Sequence, residues 1–116
     1  MKFLQTAIHE IETADELKKV INENENVMVC AGRMGPMCIP VYDAMEELEE
    51  ERENIKFYSI AFDYPSAESI RNAPMCRGFM GLPFTVYYKN GEMVEATTSI
   101  QDMQQITDIL DKRFGN

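Results

Sequence analysis

The sequence predicts a single α/β domain over residues 1–116, a mixed sheet of about five strands with helices on both faces in the order βαβαβαββα. Three observations lead there. Apolar runs such as 27–31 and 55–62 are separated by stretches whose apolar residues recur every three or four positions. A late pair of β-rich runs is joined by Lys89-Asn90-Gly91-Glu92, and Asn-Gly is a strong short-range hairpin signal. With 116 residues, 45% hydrophobic and 27% charged, the chain can bury one core without metal or disulfide staples.

Each element has a local reason. Phe3 to Ile8 is β-prone and precedes Thr13-Ala14-Asp15-Glu16, a capping-box pattern that opens a helix with Leu17, Val20 and Ile21 on one stripe. Asn22 to Asn26 is turn-like. Val27-Met28-Val29-Cys30-Ala31 is continuously apolar, as expected for a central strand covered on both faces. Gly32 to Gly35 breaks it, Pro36 suits the first position of a helix, and Cys38, Val41, Met45 and Leu48 then follow at helical spacing. The run Glu46 to Glu53 reads as that helix's solvated outer face and end.

Ile55 to Phe62 forms the next strand, and Ser66 to Ala73 a short helix stopped by Pro74. Gly78 and Gly81 mark the loop before Pro83. Phe84 to Tyr88 and Met93 to Thr97 make the hairpin, and Asp102 with Gln105 caps a last helix through Ile106, Ile109, Leu110 and Phe114. Strands joined through helices should pair in parallel, with the hairpin adding one antiparallel strand at an edge.

The net charge of −9 argues against nucleic acid and against anionic membranes, both of which select clustered Lys and Arg. The stretch Met1 to Thr6 lacks the apolar run of a secretory signal, and no segment has the ~20 apolar residues of a membrane span. A cytoplasmic protein is therefore expected. Three cysteines in a reducing compartment do not make a disulfide framework.

Arg33-Met34-Gly35-Pro36-Met37 leading into a helix with Pro40, Gly81-Leu82-Pro83-Phe84-Thr85, and Tyr88-Lys89-Asn90-Gly91 together resemble the thioredoxin superfamily over essentially the whole chain. The resemblance implies a thioredoxin-like fold, a cis peptide before Pro83 and a part in cell redox homeostasis. The family's chemistry resides in Trp-Cys-Gly-Pro-Cys, where a helix N-terminus lowers a thiol's pKa. Aligned on Gly35-Pro36, Arg33 stands at the Trp position and Met34 and Met37 at the two cysteines. Aligned on Pro40, Gly32 and Gly35 stand there instead. A thioether cannot ionise or attack a disulfide, and the strand Val27-Met28-Val29 lacks the family's buried acid.

The expectation is thus a degenerate site: a protein- or peptide-binding module that uses Arg33, Met34, Gly35, Pro36, Met37, Leu82 and Pro83, without ordinary disulfide reductase activity. The alternative is an atypical thiol-disulfide oxidoreductase in which Cys38 attacks, with Cys76 resolving or with glutathione. Cys38 also lies on an apolar stripe, where cysteine packs as a small hydrophobe. Cys30 reads as core, His9 as surface, and Arg33 as a cation able to hold a thiolate or a partner's carboxylate. No cofactor is expected. Met34, Met37, Met75 and Met80 with Cys38 and Cys76 would make a sulfur-rich edge, so Cu(I) is a third reading, but methionine also fills cores and binding surfaces and no fixed ligand spacing is present, so no metal residue is assigned. Nothing in the sequence sets the oligomeric state.

Overall fold

The computed structural model describes residues 2–115; Met1 and Asn116, the ends of the expected domain, lie outside the described residues. The elements are β1 (His9–Ile11), α1 (Ala14–Glu23), β2 (Asn26–Gly32), α2 (Ile39–Glu51) and β3 (Lys56–Ala61), followed by α3 (Glu68–Arg71) between two 3₁₀ turns, Pro65–Ala67 and Pro74–Cys76. β4 (Phe84–Lys89), β5 (Glu92–Thr98) and α4 (Met103–Phe114) complete the chain. No described helix is long and apolar enough to cross a membrane.

The sheet order is β1-β3-β2-β4-β5. The apolar run 27–31 lies in the middle strand, and every residue of β2 is buried. β1, β3 and β2 are parallel, whereas β4 is antiparallel to β2 and β5 antiparallel to β4. This corrects the expectation that only an edge strand runs against the rest. The four residues of α3 rise about 6 Å, whereas a six-residue strand such as β3 spans about 20 Å, so this helix cannot return the chain along the sheet. β4 therefore starts at the end where β2 and β3 finish, and that end gathers Gly32, Ala61 and Pro83.

Alternation along β2 divides the core. Met28 and Cys30 pack with Cys38, Val41, Met45 and Leu48 around α2 and with Ile106, Leu110 and Phe114 of α4. Val27, Val29 and Ala31 face the opposite layer, with Leu17 and Val20 of α1 and Ile70 of α3. Asn90 and Gly91 both have positive φ, 52° and 85°, as a two-residue hairpin turn requires. The capping box of α4 is complete: Asp102 accepts from the Gln105 N–H at 2.8 Å, and the Gln105 side chain accepts from the Asp102 N–H at 2.9 Å.

Local propensity is overridden in three places. Phe3 to Ile8 is not a strand; the carboxylate of buried Glu10 accepts the N–H groups of Phe3 and Leu4, at 2.9 and 2.8 Å, which replaces a β ladder there. The first strand is confined to His9–Ile11. At α1, Thr13 accepts from the Glu16 N–H at 3.0 Å, but the Glu16 carboxylate turns to the Glu12 N–H and to His9, both at 2.8 Å, so the reciprocal arm of the box is not made. α2 starts at Ile39 rather than near Pro36, with Pro40 in its first turn.

Tyr87 sits across from Met28 in the α2 layer, fully buried, and its hydroxyl has no hydrogen-bond partner among the described residues. Removing an unsatisfied buried hydroxyl while keeping the ring removes a desolvation cost. Tyr87→Phe is therefore expected to stabilise the fold by about 1 kcal/mol. Urea denaturation read by circular dichroism checks this, and a lowered midpoint would refute it.

Candidate functional site

The site forms where β2 ends and α2 begins. Gly35 C=O accepts from the Cys38 and Ile39 N–H groups, at 3.1 and 3.0 Å, winding residues 35–38 into a turn before the helix. Pro40 is tolerated in the helix's first turn because N–H groups there have no intrahelical acceptor. Cys38 thereby becomes the N-cap residue, although its side chain makes no capping bond.

Three side chains close around Gly32. A Cβ placed there would lie 2.8 Å from the Tyr42 hydroxyl, 2.9 Å from Cys38 Sγ and 3.2 Å from Pro83 Cβ. The absence of a side chain at Gly32 is what lets the start of α2 and the Pro83 loop approach the end of β2. The Arg33 N–H donates to Cys38 Sγ at 3.4 Å, and the Tyr42 hydroxyl donates to the Arg33 C=O at 3.2 Å. Burial pushes the Tyr42 phenol well above its ordinary value, so it remains a donor. The Leu82–Pro83 peptide is cis.

Beside this cluster lies a groove of about 300 Å³ lined by Arg33, Gly35, Pro36, Met37, Cys38, Met80 and Leu82. Of the residues named from sequence, Arg33, Gly35, Pro36, Met37 and Leu82 are thus brought together, with Pro83 adjacent through Gly32. Met34 is turned away. Its sulfur accepts the Gln5 N–H at 3.2 Å, and it lines a separate depression with Phe3, Leu4, Asp63 and Tyr64.

The cysteines do not pair. All three described thiols are free and buried, and Cys38 and Cys76 lie in opposite layers of the core, separated by the sheet. Cys76 is therefore not placed to resolve a bond made at Cys38. The reason is topological: the turn 74–76 packs against the layer of α1 and α3, whereas α2 covers the other face. Met75 is exposed on that same turn and does not reach the groove, so the sulfur-rich edge reduces to Met37, Cys38 and Met80. Burial raises the Cys76 thiol and, more strongly, that of Cys30.

Arg33 holds Asp63 through two bonds of 2.7 Å, and its guanidinium lies 6.0 Å from the Phe62 ring centre. The pair keeps the Asp63 carboxyl below its usual value. The hydrogen bond from Arg33 to Cys38 comes from its backbone N–H, while its guanidinium is paired with Asp63. Sequence reasoning missed Gly32's packing role, Tyr42 and Asp63. The spacing of Cys38 and Tyr42, four apart on one helix face, was the available signal for the second; Asp63 is thirty positions from Arg33 and carried none.

No protein-family model and no curated protein sequence matches the chain. Solved structures do. Thioredoxin from Plasmodium falciparum superposes with a TM-score of 0.75 at 19% identity, over 91% of this chain and 99% of that one. Chlamydomonas reinhardtii thioredoxin f2 gives 0.74 at 15% identity, over 95% and 99%. Fasciola hepatica thioredoxin gives 0.74 at 18% identity, over 90% and 98%. The chain has the thioredoxin-like fold, with its mixed five-stranded sheet.

Proposed function

We propose that this thioredoxin-fold chain is a peptide-binding module without ordinary disulfide reductase activity, and that the groove between Pro36-Met37 and Met80-Leu82 holds an extended segment of a partner protein. The observation that carries the reading is an apolar groove left open to solvent, with Met80 94% and Met37 44% exposed on its walls. The backbone N–H and C=O of Leu82 make no hydrogen bond among the described residues, which supports recognition by main-chain pairing. Alternate side chains of an extended peptide would then enter the groove. Methionine walls adapt to varied apolar side chains.

A second reading rests on one observation, the position of Cys38 at the N-cap of α2 with the Arg33 N–H on its sulfur. In it, Cys38 as thiolate displaces one sulfur of a substrate disulfide, forming a mixed disulfide that glutathione resolves.

Titrating metal-free, isotope-labelled protein with short peptides of alternating apolar and polar residues tests the first reading by NMR. Amide shifts should concentrate in 33–38 and 80–84, and Met37→Glu or Leu82→Glu should weaken binding tenfold or more, since a charge would be desolvated in the groove. Shifts mapping to another face would refute it. Insulin-disulfide reduction should proceed at the uncatalysed rate; turnover that vanishes in Cys38→Ser would move the assignment to the second reading.

A further inference from the structure

Three sulfur-bearing residues line one groove. Met37 and Cys38 form one wall and Met80 contributes from the loop before Pro83. Cys38 is 2% exposed and anchored at the helix start, while the thioethers of Met37 and Met80 are on solvent-exposed, unbranched chains with three rotatable bonds.

We propose that this groove binds a single Cu(I) ion through the Cys38 thiolate and the thioether sulfurs of Met37 and Met80. Soft thiolate and thioether donors select this ion over hard cations. The surroundings point the same way. No carboxylate or imidazole lines the groove, and among the described residues no group of three or more His, Cys, Asp or Glu is placed to hold a metal, so the donors that Zn²⁺, Mg²⁺ or Ca²⁺ require are missing. On binding, the Cys38 thiol releases one proton to solvent and the Cu(I)–thiolate unit is neutral. Two neutral thioethers complete it, so the ion enters an apolar groove without net charge to desolvate.

The rest of the first turn is already suited to such a ligand. The Arg33 N–H on Cys38 Sγ is the outer contact that orients a thiolate ligand. The Arg33 guanidinium lines the same groove, but its charge is offset by the Asp63 carboxylate, which it holds by two short bonds. The inference goes beyond the peptide reading and does not depend on it, since the peptide titration is run without metal.

Reduced protein under anaerobic conditions, titrated with Cu(I) against the chromophoric competitor bicinchoninate, tests the site. One equivalent should bind with sub-micromolar Kd, and X-ray absorption should report a sulfur-only first shell. Cys38→Ala should abolish binding; because Cys38 is in the core, the exposed pair Met37→Leu and Met80→Leu carries the test if that variant unfolds. Each methionine variant should weaken binding at least tenfold with an unchanged circular dichroism spectrum. Micromolar or weaker affinity in the wild type, nitrogen or oxygen ligands in the absorption spectrum, or wild-type affinity in the double methionine variant would each overturn the proposal.

Discussion

Above about pH 9 this protein should lose stability, and the loss should steepen as pH rises. Burial pushes the Cys30 thiol and the phenols of Tyr42, Tyr87 and Tyr88 far above their ordinary values. In the unfolded chain the same groups titrate at about 9 for the thiol and about 10 for the phenols. Between those values and the raised ones, the unfolded state releases protons that the folded state keeps, so stability is fully present below about pH 9 and falls as pH rises. Each group costs about 1.4 kcal/mol per pH unit beyond its unfolded value, so the one thiol and three phenols together cost about 7 kcal/mol at pH 11. That is comparable with the whole stability of a small domain. Urea denaturation at a series of pH values would measure the slope directly. Phenolate absorbance and far-ultraviolet circular dichroism should share one midpoint; ionisation of these phenols in a protein that keeps its dichroism would contradict the account.

Gly32→Ala should destabilise the fold by about 1–3 kcal/mol, and Gly32→Val by more. The new Cβ would come within 3.0 Å of the Tyr42 hydroxyl and of Cys38 Sγ. Neither neighbour is a loose chain end: Tyr42 is 1% exposed and held by its bond to the Arg33 C=O, and the Cys38 sulfur accepts the Arg33 N–H. Pro83 Cβ at 3.2 Å closes the third side, so relief requires moving α2 or the Pro83 loop and widens the groove. Gly35→Ala provides the contrast. A Cβ there meets nothing within 4 Å, so its effect should stay within about 0.5 kcal/mol. Denaturant midpoints of the two variants decide it; equal stability would show that the packing at Gly32 yields without cost.

The order of elements was readable because each carries its own local signal. The buried run 27–31, the stripe Cys38, Val41, Met45 and Leu48, the Asn90-Gly91 turn and the Asp102–Gln105 cap each reflect interactions among residues close in sequence. Of the Arg33–Met37 loop, Arg33, Gly35, Pro36 and Met37 line the groove with Cys38, and its other wall comes from Met80 and Leu82, far along the chain.

Where local and distant interactions compete, the distant ones win. Phe3 to Ile8 has the composition of a strand, yet Glu10 accepts its first amides and the ladder starts at His9. Cys38 and Cys76 are both near the expected edge in sequence logic, and the direction of β4 together with the one-turn α3 puts them in different layers. Met34 and Met37 directly flank Gly35-Pro36, but the Met34 sulfur takes the Gln5 N–H while Met37 lines the groove.

By itself, then, the sequence determined the α/β class, the order of its elements and the lack of a cysteine at either motif position, because propensity, periodicity and residue identity are properties of neighbouring residues. Only the tertiary structure decided strand direction, the separation of the thiols and the convergence of Gly32, Tyr42, Cys38 and Pro83, because those depend on how segments far apart in the chain share one buried volume.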